Sequence, residues 1–138
     1  MSPAVSAVRR ETVAPVDVVL HIGSDKTGTT TVQQALRRSR QVLADHGVLY
    51  PRSPGRVRHV ELGLAARSDE NLPKHRDYLR GDYPPPPAFR RRLRRRLARE
   101  VAAAAPTTVL LSDEALFRMP ADAVERVRDL VAGAAGGR

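Results

Sequence analysis

The sequence predicts an α/β protein, with helices packed around a small parallel sheet. Three observations predict it. Residues 16–43 read as a strand, a glycine-bounded loop and an amphipathic helix in succession. A second apolar run, Thr107–Ser112, follows only after a long stretch of helical character. Within that stretch, Phe89, Leu93, Leu97 and Val101 recur every four residues, as one helical stripe. Strands separated by a long helical connection pair in parallel through a crossover, because a hairpin needs a short turn.

The first element is Asp17–Ile22, whose Val18, Val19, Leu20 and Ile22 form a run expected of a strand covered on both faces. Gly23 ends it. The segment GSDKTGTT then offers backbone N–H groups and hydroxyls with little bulk, and the helix that follows has Val32, Ala35, Leu36 and Leu43 on one side, with Arg37, Arg38 and Arg40 elsewhere. A strand, a glycine turn and a helix N-terminus together make a ready anion site, since unpaired N–H groups and the helix dipole converge there. The plain alternative is a turn whose glycines serve the backbone only.

Gly23 and Gly28 have the five-residue spacing of the phosphate loop G-x-x-x-x-G-K-[ST], which extends the fold expectation to a P-loop-like three-layer arrangement with a small parallel sheet. The match then departs. Thr29 stands where the nucleoside-triphosphatase lysine belongs, and Lys26, the nearby ammonium, lies inside the loop. An ordinary ATPase or kinase reading loses weight accordingly.

At these residues, HIGSDKTGTTTVQQAL closely resembles the 5′-phosphosulfate loop of sulfotransferases that use 3′-phosphoadenosine 5′-phosphosulfate (PAPS), especially bacterial members opening H-I-G-x-x-K-T-G-T-T. The resemblance implies that Lys26, Thr27, Gly28, Thr29 and Thr30 hold the 5′-phosphosulfate of a PAPS co-substrate. Lys26 would lie near the oxygen bridging phosphorus and sulfur, and no metal is implied. Sulfuryl transfer to a hydroxyl or amine acceptor leaves negative charge on that departing oxygen, which a positioned ammonium stabilises. Two further stretches extend the likeness. Tyr50-Pro51 followed by a loop and His59 matches a cleft-lining segment, making His59 a candidate acceptor-side contact beside its plain reading as a surface-loop histidine. Ser112-Asp113-Glu114 sits where relatives end a strand in S-S-E, with Asp113 departing from the pattern.

Polar groups at the carboxyl end of a parallel strand are where open α/β sheets bind ligands. Glu114 is therefore a candidate general base toward an acceptor hydroxyl. Equally, Ser112 or Asp113 caps the next helix. In the family resembled, another strand ending in Arg, with a Ser further on, holds the 3′-phosphate. No such unit follows the last helix in this sequence. The expectation is an incomplete sulfotransferase domain: a fragment, a degenerate relative, or a protein completed by another chain, with little activity alone.

Composition bounds the rest. The 138 residues suffice for one domain and one core, expected to be aliphatic because aromatics are 4% and Trp is absent. No cysteine means no disulfide, thiolate nucleophile or Cys-based zinc site. No run approaches a membrane span, and residues 1–17 lack the apolar core of a secretory signal, so a cytoplasmic location is expected. Net charge is +9, and of 24 basic residues only Lys26 and Lys74 are lysines. Against that arginine bias a lysine in the loop stands out, since an ammonium suits one bridging oxygen better than a planar fork does.

The remaining elements follow in order. Gly47 is a helix-ending left-handed residue; Val48–Tyr50 form a short strand before the basic loop 51–59; a short helix covers Val60–Ala66. Residues 67–88 are polar, and Pro84–Pro87 favour extended polyproline. The helix over 89–105 carries seven arginines and one glutamate between Phe89 and Glu100, a net of +6. It reads as a solvated face, a surface for a sulfated, uronic or phosphorylated acceptor, or one for nucleic acid, the last disfavoured because no base-stacking aromatics accompany it. Pro120–Ala132 forms the last helix. The expected organisation is a lead-in over 1–15, a partial domain over 16–132 and a disordered tail over 133–138, with an incomplete sheet that leaves apolar surface exposed and self-association open.

Three functions remain open: a PAPS-dependent sulfotransferase or its N-terminal portion; a P-loop nucleotide-binding protein such as a kinase, with Asp113 as its Mg²⁺ ligand; and a non-catalytic, arginine-rich polyanion-binding protein.

Overall fold

The computed structural model describes residues 15–23 and 28–136, with Thr29 by its backbone alone. The chain is mixed α/β. Among the described residues there are three strands, β1 (Asp17–His21), β2 (Val48–Leu49) and β3 (Thr108–Ser112). Six α-helices occur among the described residues: α1 (Thr29–Arg38), α2 (Arg40–Asp45), α3 (Val60–Ala66), α4 (Arg76–Arg80), α5 (Pro86–Ala104) and α6 (Ala121–Ala134). Short 3₁₀ turns cover Leu72–Lys74 and Glu114–Arg118.

The sheet is parallel throughout, in the order β1-β3-β2. Asp17 pairs with Thr108 and His21 with Ser112, so β1 and β3 end level. This registry brings the carboxyl ends of two apolar strands, and whatever polar residues follow them, to one edge.

The core lies where α5 and α6 meet the central strand. Phe89, Leu93, Leu97 and Val101 are all buried, as their four-residue spacing predicts, and Val109 and Leu111 of β3 and Val127 and Val131 of α6 join the same cluster. Each such side chain contributes about 1.5–3 kcal/mol of transfer free energy. The core is largely aliphatic, with an aromatic corner in which Tyr83 and Phe89 meet edge-on at 4.8 Å.

Several expectations are corrected. β1 is not covered on both faces: Val18 is 41% and Val19 49% exposed, because β1 is an edge strand whose one partner among the described residues is β3. The first helix is two helices, broken at Ser39, where Arg40 turns to reach the carbonyls of Tyr50, Pro51 and Arg56. Its buried position is Gln33, while Val32 and Ala35 face solvent. Residues 67–88, polar overall, include two buried anchors. Leu72 and Tyr78 are buried there, and each anchors a helical turn. Pro86 and Pro87 open α5 instead of extending a polyproline run, since a helix's first turn needs no N–H from them. The last helix continues through Gly133 to Ala134, whose methyl is buried, two residues into the expected tail. No helix among the described residues is long and apolar enough to cross a membrane.

Candidate functional site

The polar residues that end β1 and β3 form one connected network at the carboxyl edge of the sheet. Ser112 is its centre and is fully buried. His21 Nδ1 lies 2.9 Å from Ser112 Oγ, and Gln33 Nε2 donates to the same oxygen at 3.1 Å. Of those two partners, His21 Nδ1 is the one able to accept the hydroxyl proton.

The placement matters more than the bonds. His21 is two residues before Gly23, and Gln33 is five residues after Gly28. One serine hydroxyl therefore ties together the two ends of the glycine loop, the strand that enters it and the helix that leaves it. Gly28 caps α1 with φ 78°, a left-handed conformation open to glycine, and no acidic residue stands in the first turn of α1. Lys26 and Thr27 lie outside the described residues, as do the hydroxyl of Thr29 and the rest of the loop centre. Thr30 is the second residue of α1 and is exposed.

Glu114 extends the network outward. Its Oε2 accepts from Gln33 Nε2 at 2.8 Å and its Oε1 from Arg58 Nη1 at 3.3 Å. Burial alone would push this carboxyl up, but the hydrogen bonds from Gln33 and backbone, with the Arg58 charge, outweigh it and hold Glu114 below its usual range. A carboxylate so held stays charged and is a weak base. Its geometry serves chiefly to fix Gln33 and Arg58.

Asp113 is the cap, and Ser112 is not. Asp113 Oδ1 accepts from Ala115 N at 3.1 Å and Oδ2 from Gly63 N at 2.9 Å, with the side chain fully buried and Arg58 Nε 3.6 Å away. Burial pushes its carboxyl up, against the pull of the Ala115 N–H, Arg58 and the Gly63 N–H. Both oxygens are committed to backbone, so the expectation that Asp113 binds Mg²⁺ is not met by this geometry.

His59 is corrected as well. It is neither a surface-loop histidine nor open toward an acceptor, for its ring is fully buried against Tyr50 at 4.4 Å between centroids. Ser112 N–H donates to Nδ1 at 3.0 Å, so Nε2 carries the proton and donates to the Pro51 carbonyl at 2.8 Å. Desolvation drives its pKa down to about 4. Its work is to position the segment that carries Ser112.

Sequence reasoning missed His21, Gln33 and Arg58. His21 had a visible signal, as the polar terminus of an apolar strand entering the loop. A buried glutamine on a helix, and an arginine among 22, had none. Comparison with protein-family models, curated proteins and solved structures finds no match for this chain.

Proposed function

We propose that the loop between Gly23 and Gly28 is an anion cradle for the 5′-phosphosulfate of PAPS, in a P-loop-like, sulfotransferase-like protein. One observation carries this reading: Ser112 bonds His21 and Gln33, so both ends of the loop are held in place before any ligand arrives. Anchored ends lessen the reorganisation that binding would demand, which is where electrostatic stabilisation of a transferring group gains most. The left-handed Gly28 and the absence of an acidic residue in the first turn of α1 suit a tetrahedral anion at that helix end.

The residues that would hold the donor are Lys26, Thr27, Gly28, Thr29 and Thr30, and what the donor supplies when bound is the sulfuryl group with its phosphate leaving group. Lys26 meets the charge that develops on the departing oxygen. Gln33 and Glu114 keep α1 against the end of β3. His59 acts at one remove, by holding Ser112 in place. The committed oxygens of Asp113 count against the kinase alternative.

The arginine-rich reading keeps one specific support, since Arg91, Arg94 and Arg95 are exposed on α5 and have no ion pair among the described residues. An anionic acceptor fits that surface better than nucleic acid does.

The test is the affinity of the chain for adenosine 3′,5′-bisphosphate, the product of the donor, in Lys26→Ala and Ser112→Ala. Loss of one charge-assisted contact should weaken binding about tenfold or more. Equal affinity in all three proteins would remove the loop from the reading.

A further inference from the structure

A second binding feature lies away from the sheet edge and shares no residue with its network. It is a cleft of about 510 Å³ between the loop 52–56 and the solvent side of α5. Four guanidinium groups line it, from Arg52, Arg56, Arg96 and Arg99. The volume is in the range of small-molecule sites.

The cleft is built rather than incidental. Glu100 of α5 clamps the loop from below, its two oxygens accepting from Arg52 N and Ser53 N at 2.9 Å each. Gly55 N donates to Arg52 O and Glu61 N to Pro54 O, closing the turn. Gly55 has φ 150°, and a Cβ there would meet Arg58 O at 2.0 Å, so the loop takes this form only with glycine. Arg40 braces it from the other side through the Arg56 carbonyl at 2.7 Å.

Two buried oxygens in this lining are left over. Ser53 Oγ and Glu61 Oε1 have no hydrogen-bond partner among the described residues, although Ser53 is 5% and Glu61 8% exposed. The nearest cation, Arg96 Nη1, is 3.8 Å from Glu61 Oε1, too far for a hydrogen bond. Arg52, Arg56 and Arg99 have no side-chain ion pair among the described residues. Buried polar atoms are otherwise satisfied in folded proteins, and each orphan calls for a partner. Unpaired guanidiniums call for an anion, which they bind as forked donors.

The geometry points to a site for a small anionic polyol, a sugar carrying a phosphate or sulfate ester. Its ester group is taken by Arg52, Arg56 and Arg99, and its hydroxyls are taken by Ser53 Oγ and Glu61 Oε1. Burial pushes the Glu61 carboxyl up, opposed by Arg96 and Arg92.

The experiment is a titration of the full chain, followed by backbone amide shifts and by calorimetry, with four probes: glucose 6-phosphate, glucose 6-sulfate, inorganic phosphate and glucose. At least one ester should bind about tenfold tighter than inorganic phosphate or glucose, moving amides of residues 52–56. The stronger of the two esters identifies the source of the anion. Arg56→Gln with Arg99→Gln should lower ester affinity about tenfold or more, and Ser53→Ala should lower it for the esters while leaving inorganic phosphate unchanged. Arg56 and Arg99 are exposed, so thermal midpoints should stay near the parent value, and Ser53→Ala supplies an independent reading if they do not. Three results each overturn the proposal: no ester binding, inorganic phosphate matching the esters, or ester affinity unmoved by the arginine substitutions.

Discussion

His59 and Ser112 exchange two hydrogen bonds, His59 N–H to the Ser112 carbonyl at 2.9 Å and Ser112 N–H to the His59 ring at 3.0 Å. The pair joins the loop after β2 to the end of β3. It also fixes the ring's protonation, because a proton on Nδ1 would face the Ser112 N–H.

From this follows a pH dependence. With a folded pKa of about 4 against an ordinary value near 6.5, protons bind the unfolded chain first as pH falls. Stability is full above about pH 6.5 and declines toward pH 4, by on the order of 3 kcal/mol. Glu114, held low, adds loss below its ordinary range, whereas Asp113, held high, acts oppositely. Urea unfolding at pH 7, 5.5 and 4 measures this, and His59→Gln isolates the ring: the variant should lose most of the slope between pH 6.5 and 4. An unchanged slope would assign the effect elsewhere.

The Asp113 cap gives a second prediction. Asp113→Ala orphans two backbone N–H groups, those of Gly63 and Ala115, at about 1–3 kcal/mol for each buried one. Gly63→Ala should damage the same joint, since an added Cβ would lie 2.7 Å from Asp113 Oδ2. Chemical unfolding should show both variants destabilised by more than about 1 kcal/mol.

How much of this was legible in the sequence differs by element. The stripe Phe89-Leu93-Leu97-Val101 announced its own burial, because helical spacing encodes one face and nothing contradicts it. The strands were legible from apolar runs and breakers, but not their neighbours, so Val18 and Val19 read as interior although β1 lies at an edge. Gln33 went unread because its burial depends on partners, Ser112 and Glu114, about 80 residues away. Site legibility followed the same line: Ser112-Asp113-Glu114 stood out at a strand end, while the roles of cap, staple and anchor came only from geometry.

Edge and centre should therefore respond differently. Phe89→Ala should cost about 3–5 kcal/mol, whereas Val19→Thr on the exposed edge should change stability by less than about 1 kcal/mol. Thermal unfolding of the two variants beside the parent decides it, and equal losses would contradict the edge position of β1.

The α5 surface should be separable from folding. Arg91→Gln, Arg94→Gln and Arg95→Gln together should shift stability by no more than about 1 kcal/mol, as exposed positions do. The same triple variant should bind heparin more weakly and with a flatter salt dependence. A salt slope equal to the parent's would place polyanion binding on another surface.

The most direct measurement is calorimetric titration of the chain with adenosine 3′,5′-bisphosphate and with ATP, each with and without Mg²⁺. Lys26 inside the loop, Thr29 in the usual lysine position and an Asp113 already committed to backbone predict binding of the bisphosphate, tighter than ATP and indifferent to Mg²⁺. Tight ATP binding that requires Mg²⁺, with no heat from the bisphosphate, would contradict the sulfonucleotide cradle and return the loop to nucleoside-triphosphate chemistry.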